Sequence, residues 1–141
     1  MNAPEFAYAV ECNKTARQTI AALWAASLKA GWMVLGDYDM GGLIPEEEDK
    51  RGVEVKSIDI CKPVHAKPFI QQDPMTALCM PCNVLVRMAD GKTTIAALKP
   101  GVMLPKLFPE AVGALGKLPF DIDAEMKAII DQAVAAPTKA A

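Results

Sequence analysis

Three of the four cysteines and the only histidine fall within 22 positions, in the runs Cys61-Lys62-Pro63-Val64-His65 and Cys79-Met80-Pro81-Cys82-Asn83. Three kinds of chemistry fit such a cluster. The first is thiol redox, because Cys79-x-x-Cys82 has the spacing at which one thiol attacks and the other resolves a mixed disulfide. Such sites open a helix whose N-terminus stabilises the thiolate, whereas Asn83-Val84-Leu85-Val86-Arg87 reads as a strand. The second is soft-metal binding, zinc or copper, by Cys61, His65, Cys79 and Cys82, with Met80 as a further soft donor. Only one arm of that Cys₃His set has the usual knuckle spacing. The third is a pocket for a small molecule or sulfur-containing ligand. In that reading Cys61 and Cys82 are candidate catalytic thiols, and Asp37, Asp39, Asp59, Pro63, Pro81 and Asn83 are ligand contacts, with His65 in reserve. Against all three stands the plain alternative that these cysteines are small buried hydrophobes, as free cysteine often is.

Positioning that cluster requires strands on both sides of it. Val55–Cys61 alternates, with Lys56, Ile58 and Ile60 on one face and Ser57, Asp59 and Cys61 on the other. Pro63 ends that strand, Val64–Gln72 reads as a short helix, and Asp73-Pro74 as a turn. Val84–Met88 and Thr93–Leu98 then flank Ala89-Asp90-Gly91-Lys92, a hairpin signature. Upstream, Phe6–Cys12 and Trp32–Tyr38 read as strands around a helix over Ala16–Lys29. Asn13 or Thr15 caps that helix, Gly31 stops it, and Ala16, Ile20, Leu23, Trp24, Ser27 and Leu28 share one face. Gly41–Gly52, with its run Glu46-Glu47-Glu48-Asp49-Lys50-Arg51, reads as a solvated loop or short helical turn. Lys99–Pro119, rich in proline and glycine, reads as an irregular connection. A last helix, capped by Asp121 or Asp123, buries Met126, Ile129, Ile130, Ala133 and Val134 and stops before Pro137.

The order β-α-β-β-(short α)-β-β-α predicts one α+β domain over residues 1–136, with a largely antiparallel sheet, helices packed on one face and a short tail at 137–141. At 141 residues, 52% hydrophobic and 23% charged, the chain can bury one core. Fifteen basic and seventeen acidic residues leave no footprint for nucleic acid. The longest apolar stretch, Ile20–Leu28, is far short of the roughly 20 residues that span a bilayer. With no secretory pattern at the start, the expectation is a cytoplasmic protein with reduced thiols and no membrane partner. The residues identify no particular cofactor, leaving that open, and do not separate an enzyme from a binding or scaffold domain.

Cys61-Lys62-Pro63 at a strand end and Met80-Pro81-Cys82-Asn83 opening the next strand resemble the signature of domain-of-unknown-function family 302, in which C-N-P is followed some twenty residues later by L-P-C-N. Asp37-Tyr38-Asp39 corresponds to an E-I-D of that family, and the resemblance covers about residues 15–103. It implies a strand, a helix, four strands and a helix, often as a homodimer, with no function attached. Lys62 departs from the family's asparagine, relatives look helical where Gly41–Gly52 lies, and Cys79 and His65 stand outside the pattern. The resemblance therefore favours Cys61 and Cys82 over the C-x-x-C and metal readings.

Overall fold

The computed structural model describes residues 3–43 and 53–138. Five strands form one antiparallel sheet in the order β1-β5-β4-β3-β2: β1 Ala7–Cys12, β2 Met33–Asp39, β3 Glu54–Cys61, β4 Cys82–Ala89 and β5 Lys92–Leu98. Among the described residues, five α-helices accompany it: α1 Ala16–Lys29, α2 Pro63–Gln72, α3 Pro100–Leu107, α4 Pro109–Gly113 and α5 Leu118–Ala135. This is the antiparallel α+β architecture expected from the alternating strands and the hairpin. The acidic run 46–51 lies outside the described residues.

Register explains the layering. Ile58 pairs with Val84, Val86 with Ile95, and Val84 with Ala97, so these side chains share one face of the sheet. All of them are buried, beneath α1 and α5, whose Leu23, Met126, Ile129 and Ile130 close the same core. Burying each large aliphatic chain there stabilises the fold by about 1.5–3 kcal/mol. The β4–β5 turn has positive φ at both Asp90 and Gly91, the left-handed pair that a two-residue hairpin needs.

Helix α1 starts at Thr15, whose hydroxyl accepts the Gln18 N–H while the Gln18 side chain accepts the Thr15 N–H. It ends as Gly31 takes φ +81°. Its buried stripe is Ala16, Thr19, Ile20, Leu23, Ala26 and Ser27. Trp24 and Leu28, expected inside, are instead 37% and 55% exposed, because Thr19 and Ala26 take the sheet side of the helix.

The stretch read as irregular between Lys99 and Pro119 holds α3 and α4. Two of its prolines start helices rather than break them, while Pro105 lies inside α3: Pro100 and Pro109 occupy the first turns of α3 and α4, where a missing N–H has no intrahelical partner to lose. Pro119 does the same for α5, which begins at Leu118, before either predicted aspartate cap. No described helix is long and apolar enough to cross a membrane.

Candidate functional site

Strands β3 and β4 are antiparallel neighbours, and β4 starts where β3 ends. Cys82 pairs with Ile60, so it points to the helix-covered face beside Ile58 and Val84. The chain leaves β3 through Cys61 and Lys62 into α2, returns through a 3₁₀ turn at Pro74–Cys79, and re-enters the sheet after a cis Met80–Pro81 bond. The space under this excursion is a cavity of about 40 Å³. Its wall contains Trp32, Cys61, Lys62, His65, Cys79, Met80, Cys82 and Met103, with Phe69 and Ile122 among its apolar floor. At about 10–15 Å³ per water position, it admits about three waters or a short chain of heavy atoms.

All four cysteines are free thiols. Cys61 and Cys82, the candidate thiol pair at the strand ends, are not bonded to one another. Positions 60 and 61 alternate across the sheet, so the residue facing Cys82 is Ile60 rather than Cys61. Burial pushes the Cys82 thiol up to about 12, with Cys61, Asp123 and Asp59 adding negative charge nearby. Burial also raises Cys61. This is the reverse of the electropositive setting that makes a cysteine nucleophilic.

Cys61, His65, Cys79 and Cys82, the residues proposed for metal, do line one cavity. Among the described residues, however, no group of three His, Cys, Asp or Glu side chains is arranged to hold an ion. His65 is engaged elsewhere: its Nε2 meets Glu125 Oε2. Glu125 Oε1 also accepts from Trp32 Nε1 at 3.2 Å and Lys62 Nζ at 3.1 Å. Burial works to raise the Glu125 carboxyl, but the hydrogen bonds from His65, Lys62 and Trp32 outweigh it and hold the group below the usual carboxylate range. Glu125 is therefore an acceptor, and the His65 proton in this contact sits on Nε2.

The other anticipated contacts lie elsewhere. Asp59 Oδ1 accepts from Asn83 Nδ2 at 2.8 Å, a cross-strand pair outside the cavity wall. Asp37 lines a separate, shallow groove of about 560 Å³ between α1 and β2, with Arg17, Trp24 and Leu28. Asp39 ends β2, Pro63 starts α2, and Pro81 follows the cis bond; none of these three lines the cavity.

Asp123 and Glu125 on α5 were not anticipated as site residues. Asp123 Oδ1 accepts the Gly101 N–H at 2.9 Å and so caps α3, whose own N-cap Lys99 provides no side-chain bond. Burial raises the Asp123 carboxyl, opposed in part by Gly101 and Lys99. One signal was available for Glu125. It stands three residues after buried Ile122 and four before buried Ile129, at the flank of the apolar face of α5.

With this arrangement in place, the comparisons define the class. The family described as Domain of unknown function DUF302 matches residues 8–133, and the chain belongs to it. That match extends at both ends beyond the span suggested by the cysteine motifs. Among solved structures, the crystal structure of an uncharacterised conserved protein DUF302 from Bacillus stearothermophilus is similar. Its TM-score is 0.80 at 22% identity, covering 92% of this chain and 99% of that one, a likeness of fold. No functionally curated protein matches the sequence.

Proposed function

We propose that this protein binds a small, largely apolar ligand in the cavity beside Cys82. The carrying observation is the cavity itself, a partly open sulfur-lined space with polar groups from Trp32, Lys62 and His65 on its wall. Apolar walls with a few placed polar groups are the usual composition of small-molecule sites. The thiols act as polarisable wall rather than as nucleophiles, since burial keeps Cys61 and Cys82 protonated at neutral pH. That places ligand binding ahead of thiol or redox catalysis. Soft-metal binding ranks lower still, because His65 is committed to Glu125.

The test is a thermal-shift titration with small alkyl and thioether compounds against the native chain and Ala66→Leu, which fills the cavity from its wall. Compounds with about three or four heavy atoms in the tail are expected to raise Tm of the native chain and not of the variant. Equal shifts in both, or none in either, would remove the cavity from the account.

A second reading concerns self-association, favoured by the face of the sheet that no described helix covers, although Ser57 within it is buried. By register, Ala9, Ala96, Leu85, Ser57 and Tyr38 form a row across it, flanked by Asp59 and Asn83 on one side and Arg87 on the other. Five strands of this length cover on the order of 500 Å² in plan, from a 4.8 Å strand spacing and a 3.3 Å rise. That approaches the roughly 800 Å² per partner of an ordinary stable interface. A two-fold axis along the row sets the Asp59 side of one copy over the Arg87 side of the other, which matches opposite charges. A homodimer by this face is expected to appear in sedimentation velocity and to dissociate in Leu85→Glu. A monomeric native chain at high concentration would refute it.

A further inference from the structure

We infer that Trp32, Lys62 and His65 form a carboxylate cradle, that Glu125 fills it in the free protein, and that the ligand is a short-chain monocarboxylate whose carboxylate takes Glu125's place. The inference rests on the cavity reading and names the ligand class for it. Three donors from different segments converge on one carboxylate: Trp32 before β2, Lys62 after β3, and His65 in α2. Trp32 is only 3% exposed, so its indole N–H needs an acceptor supplied from within the site.

All three donors are in the cavity wall, whereas Glu125 is not. Glu125 is also the most exposed member of the cluster, with 33% of its side chain accessible against 27% for Lys62 and 19% for His65. Rotation of Glu125 into solvent rehydrates it, and an incoming carboxylate restores the charge and hydrogen bonds that it leaves. The tail would then lie against Cys61, Cys79, Met80, Cys82 and Met103, polarisable groups that suit alkyl or thioether carbon.

The probes are butyrate and 3-(methylthio)propionate, with butyramide as the uncharged match, read by Trp32 fluorescence in a Trp24→Phe background at neutral pH. Removing an internal competitor raises apparent affinity by the inverse of the fraction of time the cradle is vacant, so Glu125→Ala is expected to bind both carboxylates about tenfold more tightly or better. Glu125→Gln, which keeps the side-chain volume, should gain in the same direction, and adding Lys62→Met should abolish the gain. Butyramide should gain nothing from either Glu125 variant. If amide and carboxylate bind alike in every variant, the cradle is refuted while the cavity reading stands. If no probe binds any form, both are refuted.

Discussion

Cys82 should be among the least reactive cysteines a protein can present without complete burial. Raising a thiol from 9.0 to about 12 reduces its thiolate at neutral pH by about a thousandfold. The more basic thiolate is intrinsically more nucleophilic, by about 15–30-fold for a Brønsted slope of 0.4–0.5. The net expectation is alkylation about 30–60-fold slower than for a free thiol from ionisation alone, before steric shielding adds to it. The assay is iodoacetamide labelling followed by mass spectrometry of a Cys61→Ser, Cys79→Ser variant, which leaves Cys82 as the only half-buried cysteine. The rate should climb about tenfold per pH unit up to pH 10, because the thiol is still protonated there. Labelling at the rate of an unstructured cysteine peptide, or a plateau near pH 8, would refute the assignment of Cys82 as a buried neutral wall and revive the nucleophile.

Two further outcomes follow from α5. In Gly101→Ala the new methyl would meet the Asp123 carboxylate and sit 2.8 Å from Phe120 Cδ1, forcing apart the cap of α3. A loss of about 1–3 kcal/mol is expected in urea denaturation, and unchanged stability would show that Asp123 does not hold this helix. Glu125 is held below its ordinary 4.5 in the fold, so its carboxylate contributes stability that is present above pH 4.5 and is lost as pH falls through the lowered value. Glu125→Gln should therefore be less stable than the native chain at pH 7 and converge with it in acid. A constant gap across that range would mean that the Glu125 charge is not what the His65, Lys62 and Trp32 contacts stabilise.

Much of the fold is legible in the chain because its signals are local. Period-two alternation marks β3, the Asp90-Gly91 dipeptide marks the β4–β5 turn, and Thr15 with Gly31 brackets α1. Proline was misread where its two roles diverge: Pro100 and Pro109 look like breakers in sequence, yet each opens a helix. Trp24 and Leu28 show the limit of helical periodicity, since a stripe on a wheel does not say which part of it meets the sheet.

The site was half legible. Cys61, His65, Cys79 and Cys82 were singled out by clustering, and all four reach the cavity wall. The aspartates did not follow them: Asp59 faces the opposite side of the sheet from Ile60 and Cys82, and Asp37 and Asp39 stand at the other end of β2 from Met33, the residue paired with Cys61. Glu125 lies 60 residues from His65 and 63 from Lys62. Only the packing of α5 against the rest of the core brings such distant positions together, and no motif encodes that.

The most direct test of the cavity as a ligand site uses its own methionines. Met80 and Met103 are the two of eight methionines in its wall. In a ¹³C-methyl-labelled sample titrated with 3-(methylthio)propionate, the Met80 and Met103 methyl resonances should shift together and saturably while the remaining six stay in place. Shifts spread evenly over all the methionines, or none at Met80 and Met103 at saturating probe, would contradict the account.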